Sequence, residues 1–198
     1  MYNKFHRACW LEIDLGRIKN NFKEIQRMAG DNVIIKPAVK ANGYGHGVIM
    51  ACKALEEAGA KVLAVGNIDE AIHVRKAGVK CKIVVFASNL VEEVVDLYVE
   101  NDLTPTVMYA FQAKAVSDAA VAAGKKMGVF VKMETGRGRL GINSEEAPEM
   151  IREISEYPGI TVNVYGDSTS GASAGSFVSG FKRGTVNCPD TISITISK

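Results

Sequence analysis

The chain of 198 residues suits one domain, and its 47% hydrophobic residues are enough for a sizeable core. Its formal net charge of +2 is too small to indicate nucleic acid or a membrane surface as a partner. No apolar run approaches the roughly 18 residues that a membrane-spanning helix needs, and no signal-peptide segment opens the sequence, so we expect a cytoplasmic protein. The four cysteines, Cys9, Cys52, Cys81 and Cys188, are scattered and form no CxxC pair, which indicates reduced thiols and no disulfide framework or metal site.

Up to about residue 160, short segments rich in Val and Ile alternate with amphipathic segments. The predicted strands are 10–14, 33–39, 62–66, 82–87, 103–108, 127–133 and 160–165. The predicted helices are 16–29, 47–58, 68–77, 90–100, 110–123 and 145–156, and several are followed by a glycine that can end a helix. Such alternation predicts βαβ units and a parallel sheet, and its rhythm favours a TIM-type barrel over a doubly wound sheet.

The last part of the chain has a different composition. Residues 166–198 are dominated by Gly, Ser and Thr, show no amphipathic helix, and include strand-like pieces such as TISITIS. About six of the eight strands of a barrel precede this change. We therefore predict an α/β fold, an incomplete TIM-type barrel over residues 1–165, followed by an irregular or β-like tail over 166–198.

A lysine motif stands at the end of the second predicted strand. The segment PAVKANGYGHG, residues 37–47, places Lys40 at the carboxyl end of 33–39, where α/β barrels hold their ligands. A lysine amine forms Schiff bases with carbonyl compounds. Tyr44 supplies a hydroxyl donor, and the glycine-rich turn with the helix start behind it suits a phosphate. These features together predict a site for pyridoxal 5'-phosphate.

Three segments resemble the alanine racemase family. PAVKANGYGHG is similar to the cofactor-binding lysine motif of that family, and WLEIDLGRIKNN to its opening segment. KMETGRGRLGI, residues 132–142, is similar to its second motif. The resemblance spans roughly residues 8 to 162. Glu134 stands where the family usually has Asp, and Arg137 stands where Met is common.

The resemblance implies a role for each matching residue. Lys40 would form the Schiff base with the cofactor and act as the base that exchanges the α-proton. Tyr44 would hydrogen-bond the phosphate, and Arg139 would lie by the cofactor phenol oxygen and the substrate carboxylate. Lys132 matches a lysine that is often carbamylated and that steadies this arginine. For His46 we expect a supporting role in the turn.

The implied function is a pyridoxal-phosphate-dependent racemase, an isomerase that interconverts L- and D-alanine and serves bacterial cell-wall synthesis. The complete family forms homodimers, with a second acid/base tyrosine on a C-terminal domain. No match to the later barrel strands or to that tyrosine is recognisable, so the sequence predicts a truncated chain. The alternatives are a non-catalytic barrel protein that binds pyridoxal phosphate, and an inactive fragment.

The remaining candidates have ordinary structural interpretations. Glu70 lies on the predicted helix 68–77, and we interpret it as part of a solvated face. His6 and His73 are isolated histidines with no ligand-like neighbours in sequence. GRGRLG lacks the GxGxxG spacing and the acidic partner of a dinucleotide-binding motif.

Overall fold

The computed structural model describes residues 9–86, 92–134, 138–166 and 191–192 of the chain. A parallel sheet follows the chain order, with β2 to β6 pairing successively. The described strands are β1 (Ile34–Ile35), β2 (Val62–Val65), β3 (Lys82–Val85), β4 (Leu103–Val107), β5 (Met127–Met133), β6 (Ile160–Gly166) and β7 (Thr191–Ile192). β1 and β7 form a two-stranded pair that is separate from this five-stranded sheet. The segment after β1 joins this sheet, because the Val39 N–H donates to the Ala64 carbonyl (2.7 Å) and the Ala64 N–H donates to the Pro37 carbonyl (2.9 Å).

The helices cover one face of the sheet. They are α1 (Leu15–Ala29), the single turn α2 (Lys40–Tyr44), α3 (Val48–Glu57), α4 (Ile68–Lys76), α5 (Glu92–Glu100), α6 (Ala110–Ala122) and α7 (Ala147–Ser155). Two clusters of buried side chains fill the layer between the strands and the helices, one around β2 and β3 and the other around β5. Parallel strands in chain order, with helices on one face only, are the architecture of a TIM-type barrel. The predicted fold class, an incomplete α/β barrel, is confirmed.

The opposite face of the sheet forms the interior of the partial barrel. Phe130 packs there with Ala64 and Val84. Lys36 is fully buried, and its Nζ lies 4.8 Å from the ring centroid of Phe130. Attraction between the ammonium and the aromatic ring offsets part of the cost of burying this charge. Lys132 is 5% exposed and shares the face of Phe130, because alternate residues of a strand point the same way.

Two predicted strands differ from the structure. Residues 10–14 form no strand, and Trp10 and Leu11 are exposed. Asp14 instead caps α1 by accepting a hydrogen bond from the Arg17 N–H (3.1 Å), so the extended segment ends in a helix start. The predicted strand 33–39 is shortened to β1 and one isolated bridge at Ala38, because Pro37 has no N–H to donate to a ladder.

Part of the tail pairs with β1. In β7, Thr191 is opposite Ile34 and Ile192 is opposite Ile35, both in parallel register. This strand falls within the predicted strand-like piece TISITIS and is the strand with which β1 pairs. The rest of the predicted tail, 167–190 and 193–198, lies outside the described residues. The predicted domain boundary at residue 165 stays a prediction.

The cysteines of the described residues are free thiols. Burial, together with the neighbouring Cys81 and Glu56, raises the pKa of the Cys52 thiol to about 12. Burial and the charge of Glu56 likewise raise the pKa of Cys81 to about 12. Both side chains are therefore protonated packing groups at neutral pH. Cys188 lies outside the described residues. Among the described residues, no helix combines the length and apolarity needed to cross a bilayer.

Arg75 ties together two loops at the amino end of the sheet. Its guanidinium donates to the carbonyls of Val79 (2.8 Å) and Cys81 (3.1 Å) before β3. It also donates to the carbonyls of Asn101 (3.0 Å) and Asp102 (2.9 Å) before β4. A guanidinium can serve several carbonyls at once because its donors are fixed in a planar fork. The four carbonyls lie in the loops that lead into the adjacent strands β3 and β4. By joining these loops, Arg75 stabilises this part of the sheet.

We expect Arg75→Ala to lower the free energy of unfolding by at least about 2 kcal/mol, because hydrogen bonds to a charged donor are lost and partly buried acceptors remain. The measurement is the denaturant midpoint of unfolding. Arg152→Ala, which truncates an exposed arginine on α7, is the matched control and should change stability by no more than about 0.5 kcal/mol. Equal midpoints for the two variants would contradict this assignment.

Candidate active site

Lys40 begins a left-handed turn at the carboxyl end of the first strand segment. The φ angles of Ala41, Asn42, Gly43 and Tyr44 are 51°, 56°, 65° and 52°. For residues other than glycine this conformation costs roughly 1–2 kcal/mol each. Strain of this kind persists only where surrounding contacts enforce it, and it is concentrated at functional sites. The sequence predicts a glycine-rich turn here, but it did not predict positive φ at the three non-glycine residues Ala41, Asn42 and Tyr44.

Hydrogen bonds within the segment close the turn. The Gly43 N–H donates to the Val39 carbonyl (2.9 Å), and the Gly47 N–H donates to the Asn42 carbonyl (3.0 Å). The Asn42 side-chain oxygen also accepts from the Val48 N–H (2.9 Å), one of the donors left free at the start of α3. Asparagine adopts left-handed φ more easily than most residues. Asn42 therefore connects the turn to the following helix.

His46 contacts the turn through its ring, and its predicted supporting role in the site stays a prediction. Its Nδ1 lies 2.8 Å from the Gly43 carbonyl oxygen. A carbonyl only accepts, so Nδ1 carries the proton in this contact. The ring thereby holds the Gly43 carbonyl in one orientation within the turn.

Glu70 is the residue that sequence reasoning missed. Its carboxylate accepts the Ala41 N–H at 2.8 Å through one oxygen and the Gly66 N–H at 2.7 Å through the other. The prediction of a solvated face was wrong, because this first-turn side chain of α4 reaches back to two backbone groups. A signal was present in the sequence: Asn67 and Glu70 have the spacing of a capping box. Asn67 does accept the Glu70 N–H (2.9 Å).

The side chain of Lys40 lies against the end of β2. A Cβ added to Gly66 would come within 3.5 Å of the Lys40 Cβ and within 3.1 Å of a Glu70 carboxylate oxygen. The added Cβ would be in ordinary contact with Lys40 but close to the Glu70 carboxylate, so Gly66 lies directly beside both side chains. Lys40 is half-buried, and Tyr44 is 37% exposed at the end of the turn.

Hydrogen bonds join the two described ends of the second motif after β5. The Ile142 N–H donates to the Lys132 carbonyl and the Glu134 N–H to the Ile142 carbonyl, each at 2.9 Å. The Glu134 carboxylate accepts the backbone N–H of Arg139 at 3.1 Å. Glu134, which departs from the usual aspartate, thus holds the backbone that carries Arg139. Arg137 lies outside the described residues.

The two motifs lie on the same edge of the sheet. Lys40 with Tyr44 and His46 follows β1, whereas buried Lys132 and exposed Arg139 belong to the end of β5 and its loop. Parallel strands present their carboxyl ends on one side, which brings both motifs to one rim with β2, β3 and β4 between them. The rim offers amine, guanidinium, imidazole and hydroxyl groups. Within the described residues, no group of His, Cys, Asp and Glu side chains could hold a metal ion.

Comparison with known proteins identifies the family. The family model described as the alanine racemase N-terminal domain matches residues 13–176. The chain belongs to this family. It is similar to the alanine racemase of Methanococcus maripaludis, with 41% identity over 77% of this chain and 41% of that protein. It is also similar to that of Clostridium perfringens, with 40% identity over 79% of this chain and 40% of that protein.

Solved structures of the family share the fold. The crystal structure of alanine racemase from E. faecalis has a TM-score of 0.75 at 28% identity, covering 91% of this chain and 50% of that one. The alanine racemase from Bacillus anthracis with bound L-Ala-P has a TM-score of 0.74 at 26% identity, covering 98% and 53%. The chain thus spans about two fifths of the curated relatives and half of these solved chains.

The loop that carries Arg139 requires a glycine at position 141. Gly141 has a φ of +139°, and an added Cβ would lie 2.5 Å from the Glu134 nitrogen. We expect Gly141→Ala to destabilise the protein by about 2 kcal/mol more than Gly138→Ala, because overlap with the backbone is added to the cost of the strained φ. Gly138, on the same loop with a φ of +67°, has open space around it. Denaturant unfolding of both variants checks this, and equal losses would contradict the close approach.

Proposed function

We propose that the chain provides the lysine-bearing part of a pyridoxal-phosphate-dependent racemase site that interconverts L- and D-alanine. The observation that carries the proposal is the position of Lys40: a half-buried amine on an enforced left-handed turn, at the ligand-binding edge of a partial barrel of this family. Strain at this point is explained by a need to hold one amine in one place. A lysine with a purely solvating role would need no such turn.

The residues at this rim fit the cofactor. Pyridoxal phosphate is an anionic aldehyde, and the groups at this rim are an aldehyde-reactive amine and hydrogen-bond donors. Lys40 supplies the amine, and its Cβ lies beside Gly66 at the end of β2. Tyr44 supplies a hydroxyl beside it, and Arg139 a guanidinium from the loop after β5.

The proposed chemistry is proton exchange at the α-carbon of the amino acid. When bound, pyridoxal phosphate delocalises the negative charge that forms as the α-proton leaves. Lys40 would take that proton, or return it, on one face of the α-carbon. Racemisation needs a second acid/base on the opposite face. Among the described residues we assign the first of these two groups.

The other residues would hold and orient. Arg139 would pair with the substrate carboxylate, a contact that its planar fork suits. Lys132, buried at the end of β5, would steady that arginine, and Tyr44 would bind the cofactor phosphate. D-Alanine made in this way would serve bacterial cell-wall synthesis, and the complete enzyme would act as a homodimer. These assignments rest on family membership and on the shared rim.

A second candidate is a barrel that binds pyridoxal phosphate without racemising an amino acid. It is favoured by the same arrangement, because the groups we assign can hold a cofactor but supply an acid/base on one face only. The two candidates differ in one step, α-proton exchange.

We expect pyridoxal phosphate to attach to Lys40, because its amine is the nucleophile placed at the rim. The protein is incubated with the cofactor and reduced with borohydride, and the modified lysine is located by mass spectrometry. Lys40→Arg keeps the positive charge but removes the aldehyde-reactive amine, so the modification should be lost. Lys53→Ala, which truncates an exposed lysine on the neighbouring α3, is the matched control and should keep it.

A separate sample, incubated with the cofactor but not reduced, is given L-alanine in deuterated water, and exchange at the α-carbon and formation of D-alanine are followed. Attachment with exchange on both faces supports the racemase. Attachment without formation of D-alanine supports the cofactor-binding barrel. A folded wild-type protein that takes up no cofactor at Lys40 would overturn both candidates.

A further inference from the structure

We propose that Glu70 is a positioning residue for Lys40, acting through the backbone of the turn that begins at this lysine. The inference deepens the proposed function and rests on it, since it assigns a role in the same site. Glu70 lies on α4, outside both motifs, and 30 positions after Lys40 in the chain.

The carboxylate bridges two elements. One oxygen accepts from Ala41, directly after Lys40, and the other accepts from Gly66, directly after β2. Both distances, 2.8 Å and 2.7 Å, are typical of charge-assisted hydrogen bonds. The lysine turn is thereby tied to the end of the neighbouring strand, and not only to its own segment.

The contact to Ala41 acts on Lys40 directly. The N–H of Ala41 belongs to the peptide group that also contains the Lys40 carbonyl, and this group is planar. Fixing the direction of the N–H therefore fixes the ψ angle of Lys40. It also holds Ala41 at a φ of 51°, which an alanine rarely adopts.

The bridge is itself held in place. The Glu70 N–H donates to the Asn67 side chain, which caps α4 and fixes the first turn of that helix. Gly66 allows the approach, because an added Cβ would come within 3.1 Å of the carboxylate oxygen. A series of hydrogen bonds, from Asn67 to Glu70 and from Glu70 to Ala41, thus joins the start of α4 to the backbone next to Lys40.

The consequence for chemistry concerns geometry. A reacting group displaced by about 1 Å can lose on the order of a hundredfold in rate. Without Glu70 the Ala41 peptide is free to rotate out of its strained conformation, and the amine of Lys40 moves with it. Glu70 itself need not touch cofactor or substrate.

The test compares Glu70→Ala and Glu70→Gln with Asp69→Ala in the full chain. Glutamine keeps one acceptor oxygen, so it should preserve one of the two contacts. Asp69 is exposed, is adjacent, and lies in the same first helical turn, so its removal reproduces the change in charge at the α4 start. Asp69→Ala therefore distinguishes the loss of the Glu70 hydrogen bonds from the loss of a negative charge at the helix N-terminus.

The first readout needs no cofactor. Hydrogen exchange of the Ala41 and Gly66 amides is measured by NMR in the unliganded protein. We expect roughly ten- to hundredfold faster exchange in Glu70→Ala, a smaller increase in Glu70→Gln, and no change in Asp69→Ala. The amides of β3 and β4 exchange through global unfolding, so their exchange rates should be the same in all variants if the effect of Glu70 is local.

The second readout is the rate at which pyridoxal phosphate attaches to Lys40, measured after borohydride reduction. We expect at least a tenfold decrease in Glu70→Ala, partial recovery in Glu70→Gln, and the wild-type rate in Asp69→Ala. Wild-type attachment in a folded Glu70→Ala protein, or unchanged exchange of the Ala41 amide, would overturn the inference while the proposed function stands. If the wild type takes up no cofactor, the proposed function fails, and amide exchange alone then decides whether Glu70 orders the turn.

Discussion

The left-handed turn at Ala41–Tyr44 is the constraint on which the candidate site depends. It reverses the chain between the first strand segment and α3, and it presents Lys40 at the point of reversal. Three non-glycine residues with positive φ make it unfavourable on its own. Contacts from outside the turn, at Asn42 Oδ1 and at the Glu70 carboxylate, make it the stable conformation. The position of the amine is therefore a property of three elements together.

The parallel sheet supplies the platform for this turn. Its helix-facing side is packed with aliphatic side chains, and this packing fixes the positions of the strand ends relative to one another. Its inner side contains two buried lysines, Lys36 and Lys132, beside the aromatic ring of Phe130. The division between an aliphatic outer layer and an inner face that carries these lysines follows from the period of two along each strand.

Much of this fold was predictable from sequence because buried parallel strands and amphipathic helices have strong periodic patterns. The segments 62–66, 127–133 and 160–165 became strands close to those bounds. Two errors came from competing local chemistry, the helix cap at Asp14 and the missing N–H of Pro37. Glu70 escaped prediction for another reason: a charged side chain on an amphipathic helix carries no sign of which distant backbone it meets. Lys40 was recognisable because its motif is contiguous in the chain.

A crystal structure of the chain, at a resolution that places each carbonyl oxygen of residues 39–47, tests the central claim most directly. It measures the backbone angles of the turn and the contacts of the Glu70 carboxylate in one experiment. We predict positive φ for Ala41, Asn42 and Tyr44, close to 51°, 56° and 52°, with both carboxylate oxygens on the Ala41 and Gly66 amides. Negative φ at these residues, with Glu70 turned to solvent, would contradict the account.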